Sequence, residues 1–416
     1  MDPNNLPKRT TPYYSLYQRE IFVKGSQTGE FPLFNTHPDE LEKEAFKRLS
    51  EGGWNYAASN AGLGWTHKAN REAFYRWRIV PRMLRPTLQR DISTELFGHK
   101  INAPILFAPI GICKIYDPNG EIPVAKVAQE LNLPYCLSTA GSTPIEKVGE
   151  ANGNGPRFYQ LYMPHDDELT LSLITRAYNS GFTACILTLD TWQLGWRHND
   201  IATANYAFYR GIGNDLGWSD PVFQKRLKEA GVDPQKDPKR AGELWIDQVW
   251  HGKAHTWEKV SWIIKEWKRI SNGKPFLLKG IQCVEDAKKA LEVGCDGIVV
   301  SNHAGRQVDG AVASLDQLPE IVEAVGKKMT IIYDSGVRSG ADVFKALALG
   351  AHSVAVGRLW VWGLSIRGEA GVRHVMKSLL AEFDILMNVA GYSSVKELIG
   401  NKDALKYVGI EKSSKL

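Results

Sequence analysis

The chain has 416 residues, 43% hydrophobic and 23% charged, which is ample apolar material for a large core and excludes a disordered protein. Its formal charge of +5 is small for this length and spread along it, so nucleic-acid and membrane partners are not expected, while small anions remain possible. No apolar run approaches the roughly 20 residues of a membrane helix, and the opening MDPNNLPKRTTPYY lacks a signal peptide's apolar stretch.

In chain order, residues 1–103 read as an extension with one amphipathic helix (PDELEKEAFKRLSEG) and a Trp/Tyr/Arg-rich stretch containing WNYAASNAG. From residue 104, short apolar runs alternate with helical patterns. The runs are PILFAP (104–109), LPYCLS (133–138), RFYQLY (157–162), TACILTLD (183–190), PFLLKG (275–280), DGIVVS (296–301), MTIIYD (329–334) and HSVAVG (352–357). Their near-continuous hydrophobicity predicts parallel strands covered on both faces. Helical patterns such as WEKVSWIIKEWKRI (257–270), VEDAKKALEVG and GADVFKALALG separate them, the last two ending in Gly as a C-cap.

Eight such units over 104–395 predict a TIM (β/α)8 barrel of the α/β class. A doubly wound open sheet is the alternative, disfavoured because no GxGxxG turn follows the first strand. Residues 191–257, after strand four, exceed an ordinary connection and read as an elaborated active-site loop. The stretch GEAGVRHVMKSLLAEFDILMNVAG is expected to close the outer layer, and 396–416 reads as a C-terminal tail. Its last residues, Ser414-Lys415-Leu416, spell the address read by the peroxisomal import receptor, so a peroxisomal protein is expected, or otherwise a soluble cytoplasmic one. The five cysteines form no CxxC pair, and neither disulfides nor metal ligation is expected.

Barrel chemistry lies where strands end. Those ends carry Pro109-Ile110-Gly111, Ser138, Gln160 and Tyr162, Thr188 and Asp190, Lys279, Ser301 and His303, Asp334-Ser335-Gly336 with Arg338, and Gly357-Arg358. The glycines and two arginines after strands seven and eight suit a phosphate. Lys279 can hold positive charge beside a ring that gains negative charge on reduction, while Gln160 and Thr188 can hydrogen-bond ring heteroatoms, so together they describe a flavin pocket. His303 can take a proton near neutral pH, with Asp190 holding its tautomer, and Arg306 with Arg197 can bind a carboxylate. The set fits removal of hydrogen from a carbon next to a carboxylate.

These strand ends, in this order, and above all SNHAGRQVDG (301–310), resemble the FMN-dependent L-2-hydroxy acid oxidase/dehydrogenase family over nearly the whole chain from the residue-40 helix. The resemblance implies FMN as cofactor, a 2-hydroxy acid and O2 as substrates, His303 as base with Asp190 as partner, and Tyr56, Tyr162, Arg197 and Arg306 as substrate groups. It implies FMN contacts for Pro109, Ile110, Gly111, Ser138, Gln160, Thr188, Lys279, Ser301, Asp334, Ser335, Gly336, Arg338, Gly357 and Arg358, and a homotetramer by analogy. Within the family, EAFYRWRIVPRML, LTLDTWQLGWR, ATANY and Gly111 resemble the lactate 2-monooxygenase branch, which decarboxylates the oxo acid with the peroxide it makes. A peroxide-releasing oxidase, or an FMN dehydrogenase using another acceptor, is the alternative. Ala304 departs from the usual Gly of the signature, Gly62-Leu63-Gly64 from acidic residues, and Ala140 from a bulky aromatic.

Overall fold

The structure, a computed structural model, describes residues 2–204 and 206–409. Eight parallel strands close into a barrel: β1 (Ile105–Phe107), β2 (Tyr135–Ser138), β3 (Arg157–Leu161), β4 (Cys185–Thr188), β5 (Phe276–Ile281), β6 (Gly297–Val300), β7 (Thr330–Tyr333) and β8 (Ser353–Val356). Each overlaps a run expected to be a strand, and β8 pairs back onto β1 to complete the ring. Pleating explains why the runs are apolar throughout. Alternate residues, among them Leu106, Phe158, Ile186 and Ile332, form an inner cluster, while their neighbours face the helices. Register places Ser138 opposite Gln160 and Thr188 opposite Lys279, so site residues from four strands arrive at one level. A register shift between Lys279 and Ile281, with Gly280 at φ 102°, ends that level at β5.

A hairpin unforeseen from the sequence, Thr94–Leu96 with His99–Ile101, closes the barrel's N-terminal end. Leu96 and Ile101 join the inner cluster, and the Phe97 ring meets Phe158 edge-on at 5.8 Å.

The extension holds four α-helices rather than one: α1 (Leu16–Thr28), α2 (Pro38–Arg48), α3 (Glu51–Ala58) and α4 (Trp65–Tyr75). PDELEKEAFKRLSEG breaks because Leu49 is extended and Ser50 starts a new helix, its Oγ accepting the Gly53 N–H at 3.2 Å. The extension docks through a fully buried pair, Arg90 Nε donating to Asp384 Oδ1 at 2.8 Å, while Asp384 Oδ2 accepts the Ser15 N–H at 2.9 Å.

Residues 191–257 are a folded lid, not an open loop. Four α-helices (His198–Ala202, Asp215–Trp218, Pro221–Glu229, Pro238–Val249) surround Phe208, Phe223 and Trp245, which are buried. Asp220 caps the third of them and also accepts from Ser172 and Arg176 on the barrel's outer layer.

The Arg358–Ala390 helix closes the outer layer, with a break at Arg367 and Gly368. Much of the stretch read as a tail is folded: Leu405–Tyr407 pairs antiparallel with Trp77–Ile79. Ser414-Lys415-Leu416 lies outside the described residues. Among those described, no helix is long and apolar enough to cross a membrane.

Candidate functional site

At the end of β6 the chain turns through two consecutive left-handed residues, His303 (φ 55°) and Ala304 (φ 56°). Such a conformation costs a residue with a side chain about 1–2 kcal/mol. Three hydrogen bonds offset it. Ser301 Oγ accepts the His303 N–H at 3.1 Å, Ser335 Oγ accepts the Ala304 N–H at 3.0 Å, and Asn302 Oδ1 accepts the Gly305 N–H at 3.2 Å. Gly305 is obligatory, because a Cβ there would lie 2.5 Å from the His67 nitrogen. The departure at Ala304 is therefore accommodated by its neighbours.

This turn delivers His303 Nδ1 to 2.7 Å from Asp190 Oδ1 at the end of β4. The Thr191 hydroxyl lies 2.6 Å from the same carboxylate oxygen and 3.0 Å from Nδ1. Burial alone would raise the Asp190 pKa, but the His303 ring, the Lys279 ammonium and these hydrogen bonds hold it below the usual carboxylate range. Burial pushes the His303 pKa down, with Asp190 only partly countering it. The imidazole is thus neutral at neutral pH, and its Nδ1–H donates to Asp190, leaving Nε2 as a base.

His303 forms part of the wall of a cleft at the C-terminal mouth of the barrel, where barrels carry their ligand sites. At one end stand Arg338, Arg358, Gly336 and Gly357. Arg358 Nε donates to the Ala57 carbonyl at 3.0 Å and Arg338 Nη1 to Val337 at 2.9 Å. Among the described residues neither guanidinium has a carboxylate partner, and burial disfavours the charge of both. Two buried cations without an anion, beside a Ser335-Gly336 backbone with φ 86° at both residues, make a cradle for a phosphate dianion.

In the middle of the cleft, Pro109, Ile110, Gly111, Ser138 and Lys279 line the wall. Lys279 Nζ donates to Ser301 Oγ at 3.1 Å and lies 3.6 Å from Asp334 Oδ2. Burial would lower its pKa, yet Asp334 and Asp190 raise it, so a buried ammonium persists. Gln160, Thr188 and Ser301 stand one layer below the wall. Ser138 Oγ donates to Gln160 Oε1 at 2.8 Å and Gln160 Nε2 to Thr188 Oγ1 at 2.9 Å. The phosphate cradle at one end and the buried ammonium in the middle of the cleft fit FMN.

On the outer side, Tyr56, Tyr162 and Arg306 line the cleft. Arg306 Nη1 donates to the Ser59 carbonyl at 2.8 Å, and its Cζ lies 5.3 Å from the Tyr56 ring centre. Arg197 is buried behind them, donating from Nε to the Arg306 carbonyl at 3.1 Å and from Nη2 to Gln307 Oε1 at 2.9 Å. Sequence reasoning missed Tyr116, which lines the cleft, and Thr191, Ser59, Asp200, Tyr206 and Trp250 around it. Tyr206 and Trp250 come from the lid and pack their rings toward Tyr56 and Tyr162 at 6.2 and 5.4 Å. The DT of LTLDTWQLGWR was the one available signal for Thr191.

The model of the FMN-dependent dehydrogenase family matches residues 45–406. An FMN-dependent alpha-hydroxy acid dehydrogenase of Penicillium citrinum is 45% identical over 395 residues, covering 95% of this chain and 96% of that protein. An L-lactate oxidase of Lysinibacillus sphaericus is 39% identical, covering 86% and 90%. The crystal structure of a mandelate oxidase superposes with a TM-score of 0.77 at 31% identity, covering 89% of this chain and 98% of that one.

Proposed function

The chain belongs to the FMN-dependent dehydrogenase family of 2-hydroxy acid-oxidising enzymes, and on that premise we propose that it oxidises a small L-2-hydroxy acid, L-lactate or a near homologue, with O2 as acceptor. The neutral His303 held on Asp190, facing the same cleft as Arg306, carries this reading.

Bound FMN supplies the acceptor for the two electrons that leave the substrate. Arg338, Arg358 and the Gly336 and Gly357 backbone would hold its phosphate, and the buried Lys279 ammonium would stand beside its ring. Arg306 and Arg197 hold the substrate carboxylate, and Tyr56 and Tyr162 orient it. His303 Nε2 takes the substrate's proton, and the ionised Asp190 stabilises the resulting imidazolium. The lid, through Tyr206 and Trp250, covers the outer side and excludes water.

The finer reading is chemistry of the lactate 2-monooxygenase type, in which 2-oxo acid and peroxide react before release to give a carboxylic acid one carbon shorter, CO2 and water. Gly111 supports it: a Cβ there would lie 2.5 Å from the Ala140 Cβ, so glycine is built into the wall. Release of both products is the second reading, favoured by the likeness to an L-lactate oxidase. Anaerobic mixing with L-lactate or a longer homologue bleaches the flavin, and failure with every 2-hydroxy acid overturns the proposal. Aerobic turnover on L-lactate then separates the two readings: acetate marks the first, pyruvate with peroxide the second. Reduction without oxygen consumption marks a different acceptor.

A further inference from the structure

The short helix His198–Ala202 opens the lid directly after Arg197 and carries Asp200. Its carboxylate is 12% exposed, and Oδ2 accepts the Ser59 hydroxyl at 3.1 Å while lying 3.8 Å from Arg197 Nη1. Oδ1 is buried without a hydrogen-bond partner. Ser59 is in turn the residue whose carbonyl accepts from Arg306 at 2.8 Å and from Arg358 at 3.3 Å. Asp200 therefore sits at the junction of the lid, the end of α3 and the two guanidiniums assigned to the substrate carboxylate.

Charge makes this placement more than a staple. Burial and then the Arg306 guanidinium disfavour the charge of Arg197, and Arg358 feels both guanidiniums. Among the described residues, Asp200 is the carboxylate within 4 Å of Arg197, and none lies that close to Arg306. Arg197 spends Nε and Nη2 on Arg306 and Gln307, so the nitrogen that faces Asp200, Nη1, is the one without a hydrogen bond. One fixed anion in a poorly solvated cluster of guanidiniums weakens the cluster's pull on a ligand's negative charge, and a dianion, with its second charge beside Asp200, loses more of that pull than a monoanion.

We propose that Asp200 is a specificity-determining residue that admits monocarboxylic 2-hydroxy acids and rejects dicarboxylic ones. The inference rests on the 2-hydroxy acid reading of the cleft. Asp200→Asn keeps an oxygen acceptor for Ser59 and removes only the charge, whereas Ser59→Ala removes the staple and keeps the charge.

The test uses the FMN-loaded protein and two non-reacting acids, propionate with one charge and malonate with two, titrated by their perturbation of the visible flavin spectrum. Asp200→Asn should shift the malonate-to-propionate affinity ratio toward malonate by about tenfold or more, a change of about 1.4 kcal/mol per tenfold. Ser59→Ala should leave that ratio unchanged. Parallel loss of both affinities in Asp200→Asn, at constant ratio, reduces Asp200 to a lid staple and overturns the proposal. The unmodified enzyme gives a second check that needs no variant. Its flavin should be reduced far faster by L-2-hydroxybutyrate than by L-malate, and equal rates overturn the proposal. If no 2-hydroxy acid reduces the flavin, the functional reading falls, while the malonate-to-propionate ratio still decides the role of Asp200.

Discussion

In the proposed reaction His303 serves as base because burial keeps it neutral while Asp190 stands by to stabilise the imidazolium that proton transfer creates. Replacing it by Gln preserves volume and removes the base, so flavin reduction by substrate should fall by at least about 10² while the protein stays yellow. Because burial lowers its pKa below the ordinary 6.5, kcat/KM should be flat at neutral pH and decline on the acid side, below pH 6.5. A decline beginning above pH 7 would contradict that assignment. Gly111 gives a second test. The Ala140 carbonyl accepts the Ile112 N–H at 2.9 Å, so backbone hydrogen bonding fixes the two segments against each other. Gly111→Ala should cost about 1–3 kcal/mol by overpacking and move product from acetate toward peroxide, with Ala140→Gly restoring part of the stability. Residues at strand ends, such as His303, Lys279 and Arg338, could be read from sequence because the barrel rule assigns each a direction. Thr191, Ser59 and Asp200 could not, since their roles depend on which distant segments meet.

Among the elements, the eight strands were legible because their apolar runs are short, bounded and regularly interrupted by helical patterns. The floor hairpin was not, because its strands are three residues each and alternate only once. Of the lid's helices, Pro238–Val249 carries a legible stripe, Ala241, Trp245, Ile246 and Val249 at helical spacing, whereas His198–Ala202 and Asp215–Trp218 are too short to show one. The second and third helices of the extension read as one because only two extended residues, Leu49 and Ser50, separate them. That extension is fixed by Leu41, Ala45, Ala73 and Phe74 packed into the main core together with the buried Arg90–Asp384 pair. Asp384→Ala strands a buried guanidinium, so it should destabilise the fold by about 3–5 kcal/mol while leaving the FMN spectrum of the folded fraction unchanged. Chemical denaturation of both proteins checks this, and a loss below about 1 kcal/mol would show that the extension is held otherwise.

For the molecule as a whole, acid should be more damaging than the net charge suggests. Burial, followed by Arg358 and Arg338, pushes the His67 pKa down to about 3, and burial beside His251 pushes His255 down to about 4. An unfolded chain protonates these rings near pH 6.5, whereas the native one does not. The unfolded state therefore binds more protons below pH 6.5, and stability falls as pH drops from there toward 4, at about 1.4 kcal/mol per pH unit for each ring. Scanning Tm from pH 8 to 5 should show a plateau and then a descent, and a flat profile would argue that these rings are solvated.

The plugged floor has one more consequence. With Leu96, Phe97 and Ile101 stoppering the far end, the cleft is closed from below, and what enters or leaves it passes on the side where the lid brings Tyr206 and Trp250 against Tyr56 and Tyr162. Arrivals and departures must then queue. If turnover makes peroxide beside a 2-oxo acid, as proposed above, the two share that way out, and the packing of Tyr206 and Trp250 over it governs how long they remain in company.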